Sequence, residues 1–124
     1  MFPDIEIYIK NIDLEQVKKW LDSHFDTVSA PLTRPNPIFE ATYQQQTVEI
    51  HTVEKAARGH FSSLWFKQNH TPWQTDLDCA ISAVEFLKTE VRCSDGSWEE
   101  PTGEQEPFWY RLKGDEISKI RWQD

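Results

Sequence analysis

Apolar and polar residues alternate from Ile5 to Ile9. Ile5, Ile7 and Ile9 fall on one side and Glu6, Tyr8 and Lys10 on the other, which predicts a half-buried strand. A helix follows. Asp13 is a suitable N-cap, Gln16 stands three residues on as in a capping box, and Ile12 and Val17 occupy staple positions. Leu14, Val17, Leu21 and Phe25 then recur at helical spacing, flanked by Trp20 and His24, so this helix is expected to end near Phe25. Pro31, Pro35 and Pro37 mark Ser29 to Pro37 as a loop.

The middle of the chain reads as two linked hairpins. Phe39, Ala41 and Tyr43 share one face of a strand, and Val48, Ile50 and Thr52 share one face of the next. A turn centred on Gln44-Gln45, which lacks the usual Gly or Asn, pairs Ala41 with Val48 and Phe39 with Ile50. Lys55 to Gly59 reads as the next connection, leading into a strand from His60 to Lys67. Symmetric pairing across it sets Val48 against Phe66 and Ile50 against Leu64 on the core side. Val53 then faces Phe61, His51 faces Ser63 and Glu49 faces Trp65 on the other side.

A loop from Asn69 to Gln74 precedes a second helix. Thr75 is its expected N-cap, Leu77, Ala80, Ile81, Val84 and Leu87 form its apolar stripe, and Ala83 and Phe86 widen that arc before an end near Thr89. Val91 and Cys93 begin a short strand. Asp95-Gly96 signals a tight turn that would set Arg92 opposite Glu99 and Cys93 opposite Trp98. Glu99 to Glu106 reads as an acidic loop, and Phe108 to Leu112 and Ile117 to Trp122 are two more strands joined at Gly114-Asp115 by a type II′ turn.

The resulting order is β-α-β-β-β-α-β-β. It predicts an α+β fold, a mainly antiparallel sheet with two helices on one face, and a distorted ferredoxin-like arrangement is one solution. The 124 residues suit one domain over 1–124. Two cysteines, Cys79 and Cys93, are too few for a disulfide framework, and the opening residues lack a signal-peptide pattern, which together point to the cytoplasm. No segment reaches the roughly 20 apolar residues of a membrane helix. A net charge of −8 argues against direct nucleic-acid binding and against anionic membranes, while leaving a basic protein as a natural partner.

Catalytic motifs are sparse. The four histidines stand in no HxH or HExxH spacing, so no metal site is expected, and no clustered glycines offer a nucleotide cradle, so no cofactor is expected. Cys79 sits near a helix start, where the dipole favours a thiolate, and His70 precedes it by nine residues; burial of Cys79 as a staple partner is the plainer reading. Ser62-Ser63 beside His51 gives a faint serine–histidine suggestion, and Glu49 opposite Trp65 is the one carboxylate expected near a ring.

Aromatic excess is the remaining feature. Phe61 and Trp65 point away from the helices, as does one parity of Phe108 to Tyr110. Two helices cover one side of a sheet, so the other side is covered by the loops at 29–37 and 94–107 or forms an interaction patch. The acidic loop adds Trp98 among Glu99, Glu100 and Glu104, a ring anchor within charge that steers a basic partner. The leading expectation is a non-enzymatic module masking a basic protein surface, as inhibitors and immunity-type proteins do, with Trp98, Glu99, Glu100, Glu104, Phe61 and Trp65 at the contact. A second is a small-molecule pocket or modest enzyme lined by His51, Ser63 and Trp65, with Arg58 or Lys67 holding an anion. A third is a homodimer formed through the ring-bearing face.

Overall fold

The computed structural model describes residues 1–29, 32–34, 36–95 and 108–122, with only the backbone of 32–34. In chain order its elements are β1 (Ile5–Lys10), α1 (Leu14–Asp22), β2 (Thr27–Val28), β3 (Leu32–Arg34), β4 (Asn36–Tyr43), β5 (Gln46–Ala57), β6 (Phe61–Phe66), α2 (Asp76–Leu87), β7 (Val91–Ser94), β8 (Phe108–Lys113) and β9 (Glu116–Arg121). They make an α+β fold with an antiparallel sheet ordered β2-β4-β5-β6-β1-β7-β8-β9, with β3 also pairing β4. The central run β5-β6-β1-β7, with a helix after β1 and another after β6, is the ferredoxin-like order. The other strands extend it at both ends.

Local chemistry sets the helix starts. The Asp13 carboxylate accepts from the amides of Glu15 and Gln16, and the Thr75 hydroxyl accepts from Asp78, satisfying donors that a helix start leaves free. The first helix stops at Asp22, one turn short of the expected end. Phe25 nonetheless remains buried beside Val17, Trp20 and Leu21.

The main core lies between the helices and one sheet face. Ile5, Ile7, Ile9, Phe39, Ala41, Val48, Ile50, Leu64 and Phe66 meet Val17, Trp20, Leu21, Cys79, Ala80 and Ala83 there. A small polar network crosses between the helices at its margin. The Trp20 indole donates to the Ser82 hydroxyl at 3.0 Å, and that hydroxyl bonds His24 Nε2 at 3.0 Å. Burial holds the His24 pKa below its ordinary value.

The β4–β5 register pairs Ala41 with Val48 and Phe39 with Ile50, as the alternation predicts. Gln44 and Gln45 form its turn at φ of 50° and 68°, the left-handed region that type I′ turns need and that Asn-Gly adopts more readily. Replacing them by Asn-Gly is expected to raise the unfolding free energy by about 1 kcal/mol. Urea denaturation checks this, and an unchanged midpoint would show that the turn carries no strain.

Three expectations are corrected. The β5–β6 register is slipped by two residues, pairing Ile50 with Phe66, His51 with Trp65, Thr52 with Leu64 and Val53 with Ser63. The cause is that β5 continues through the stretch read as a loop and turns only at 58–60, where Ala57 pairs with Phe61; a bulge between Val53 and Ala57 then takes back part of that shift. The Ser29–Pro37 stretch contributes β3 and its hairpin with β4. Finally, β7 is occupied on both sides: Arg92 lies opposite Tyr8 of β1 and Arg111 of β8, and Cys93 opposite Tyr110. The Asp95-Gly96 hairpin therefore does not supply the partner of β7; Trp98 and Glu99 lie outside the described residues.

Candidate functional site

Rings do occupy both sides of the sheet. On the helix-free side Phe61 is 2 % exposed yet stands apart from the main apolar core. Its cover comes from the chain itself. Trp122, just past β9, meets Phe61 edge-on at 4.9 Å, Tyr8 at 5.3 Å and Trp109 at 5.1 Å, although β1, β7 and β8 separate β9 from β6 in the pairing order. The sheet must coil strongly to allow this. The Arg92 guanidinium lies 4.5 Å from the Phe61 ring centre and 4.7 Å from that of Trp122. Its charge is balanced by the buried Glu90 carboxylate at 2.8 Å, which also takes Arg111 at 3.2 Å. The C-terminal hairpin thus builds a second small core where an open patch or a loop cover was expected.

Beside this second core lies a cavity of about 250 Å³ lined by Phe2, Asp4, Glu6, Tyr8, Asp76, Ser94 and Trp109. The strand alternation that buries Ile5 and Ile7 delivers Glu6 and Tyr8 to the helix-free side. Asp76, the first residue of α2, arrives from the other layer and accepts from the Glu6 amide at 3.0 Å. The Trp65 indole donates to Asp4 at 2.7 Å. Trp65 pairs with Glu6 across β1–β6, so the sheet register fixes that carboxylate's position.

Three carboxylates therefore share one cavity with aromatic side chains, and none of the lining residues is a lysine or arginine. Burial, and then the charges of Asp76 and Asp4, push the Glu6 pKa up. Burial pushes Asp76 up to about 6, with Asp4 adding to the shift, against the hydrogen bond from the Glu6 amide, which favours the ionised form. Carboxyl groups shifted upward in a cleft are electrostatically unsatisfied, and a cation placed among them relieves that state. Among the described residues no group of three or more side chains is arranged to hold a metal ion.

The residues singled out from the sequence fall in several places. Trp98, Glu99, Glu100 and Glu104 lie outside the described residues; Ser94 and Trp109 are both in the cavity wall. Phe61 packs beneath Trp122 and Arg92 rather than lining a surface. Trp65 is half-buried, with His51 at 5.8 Å and Lys67 over its ring at 5.9 Å. The register slip moves Ser63 away from His51 to face Val53 and Tyr8, and Arg58 sits beyond the bulge in the β5–β6 turn. Glu49 faces Glu40, not Trp65, and bonds His51 at 3.3 Å.

Cys79 is fully buried, and burial first, then the neighbouring Asp76 charge, raises its thiol pKa well above the ordinary range, in line with the plainer reading of Cys79 as a packed side chain. The cavity acids Asp4, Glu6 and Asp76 escaped the sequence reading. The legible trace was Glu6 and Tyr8 on the outward parity of β1, with nothing to link them to a residue 70 positions on.

Comparison with known proteins gives no match: no family model, no curated protein and no solved structure is significantly similar to this chain. Among the described residues no helix is long and apolar enough to cross a membrane.

Proposed function

We propose that this chain is a protein-binding module for a basic partner, of the kind that masks a cationic surface, and that it seats an arginine or lysine side chain of that partner in the Asp4–Glu6–Asp76 cavity. One observation carries the reading: three carboxylates without a lining cation, two of them shifted upward, share one cavity with the Tyr8 and Trp109 rings, which pack edge to face at 5.5 Å. A guanidinium there gains charge-assisted hydrogen bonds and a ring face together. The stretch 96–107, outside the described residues, carries Glu99, Glu100, Glu104 and Glu106 without a lysine or arginine. The overall charge of −8 extends the attraction to long range.

The two acidic groups have separable roles. Outer charges steer encounter, while a desolvated pocket holds what has arrived. A hexa-arginine peptide is a suitable probe, followed by stopped-flow Trp fluorescence at low ionic strength. Alanine at Glu99, Glu100 and Glu104 is expected to slow association by about tenfold with little change in dissociation. Glutamine at Glu6 is expected to speed dissociation by a similar factor and leave association nearly unchanged. Peptide binding that ignores both sets of changes would reject the reading.

A further inference from the structure

A second and larger cavity, of about 410 Å³, lies at the other end of α2. It is bounded by Lys10 at the end of β1, by Val84, Glu85, Lys88, Thr89 and Glu90 around the helix C-terminus, and by the β8–β9 turn at Lys113, Gly114 and Asp115. We propose that this cavity is a binding site for a small phosphate-class oxyanion, held by Lys10, Lys88 and Lys113.

The charge arrangement favours an anion. Three lysines from three separate stretches of an acidic chain line one cavity, and among the described residues none of them makes an ion pair. The buried carboxylate in the wall, Glu90, does not neutralise them. Arg92 and Arg111 already hold it, and although its burial alone would raise the pKa, their hydrogen bonds and charges bring it below the ordinary value. Three lysines and three acids, Glu85, Glu90 and Asp115, line the cavity; because Arg92 and Arg111, outside the lining, hold Glu90, only Glu85 and Asp115 are left to offset the three lysines.

The backbone holds this arrangement in place. The Lys10 amide donates to the Glu90 carbonyl at 3.0 Å, and the Thr89 hydroxyl donates to the Lys10 carbonyl at 2.8 Å. Lys88 caps α2 in the left-handed region at φ 58°, a place where glycine is the usual residue. A lysine there costs about 1 kcal/mol relative to glycine. Strain of this kind at a pocket-lining residue is a recognised mark of a functional position.

The chemistry of the walls narrows the ligand. Lysines act as point charges with rotatable donors, which can gather around the several oxygens of a phosphate group. No aromatic ring lines the cavity, so there is no platform for a nucleobase. A compact phosphate ester or diphosphate fits this description.

Inorganic pyrophosphate, inorganic phosphate and succinate are the probes, titrated into the full chain and followed by calorimetry and amide NMR at low ionic strength. Pyrophosphate is expected to bind most tightly and succinate least, with shifts at Lys10, Lys88 and Gly114. The Lys88→Gly variant is the deciding control, because glycine relaxes the left-handed cap while removing the charge. It is expected to unfold at an equal or higher temperature and to bind pyrophosphate about tenfold more weakly. Lys113→Gln is expected to weaken binding comparably. No binding at millimolar pyrophosphate, equal binding of all three anions, or unchanged binding by Lys88→Gly would overturn the assignment.

Discussion

Replacing Arg92 by alanine is expected to lower the unfolding free energy by about 3 kcal/mol, the largest loss from any single surface-facing side chain here. Two contributions add. The guanidinium is only 17 % exposed and pairs with a Glu90 side chain that is 6 % exposed, so its removal leaves a buried carboxylate with one partner, Arg111, in place of two. It also removes the cation that lies against both the Phe61 and the Trp122 ring. Arg92→Lys is expected to recover less than half of the loss, because an ammonium group cannot span two rings and a carboxylate at once. Equilibrium urea unfolding measures both variants. A loss under about 1 kcal/mol for Arg92→Ala would mean that the second core stands without its central charge.

Asp76→Asn is expected to make the protein more stable at neutral pH and worse at holding a cation. The amide keeps an acceptor for the Glu6 backbone amide and removes a crowded charge. The Asp76 pKa rises from 3.8 to about 6 in the folded chain. That shift converts to about 3 kcal/mol before screening, and to about 1 kcal/mol for a partly exposed group.

The sign follows from proton linkage. A carboxyl whose folded pKa is raised contributes stability that is fully present below 3.8 and is lost as pH rises through about 6. The variant should therefore lose that downward slope. His24 acts in the opposite sense, since its lowered pKa makes stability fall as pH drops below its ordinary value of 6.5. It is common to both proteins and cancels in the difference. Binding of the hexa-arginine peptide should weaken by about tenfold at pH 7.5 and be nearly equal for the two proteins at pH 4.5, where wild-type Asp76 is itself protonated. Equal stability curves, or unchanged peptide affinity at pH 7.5, would remove Asp76 from the proposed site.

How far the fold was legible depended on where patterns were unbroken. The β4–β5 register could be read because Phe39, Ala41, Val48 and Ile50 alternate without interruption around a two-residue turn. The β5–β6 register could not, because alternation ends at Val53 and the bulge before Ala57 leaves no mark in Glu54-Lys55-Ala56. The slip of two residues, an even number, kept Trp65 and Phe61 on the helix-free side, so facing survived where pairing did not.

The candidate cavity was hidden for a different reason. Asp4, Glu6, Asp76 and Trp109 come together only through the strand order β1-β7-β8 and the placement of the α2 start, and the spacing of residues along a chain carries no signal for such convergence. The covering of Phe61 by Trp122 was hidden likewise, since it depends on the coiling of the five strands from β6 to β9.

The order in which those rings are made has a consequence during synthesis. Tyr8 and Phe61 leave the ribosome well before Trp109 and Trp122, which close over them. At ordinary elongation rates of about 5–20 residues per second, Phe61 precedes Trp122 by roughly 3–12 s. For that interval the nascent chain carries an apolar stripe that a chaperone can grip and that a neighbouring polysome can stick to. Yield in cells should therefore respond to how quickly the codons between these two rings are read.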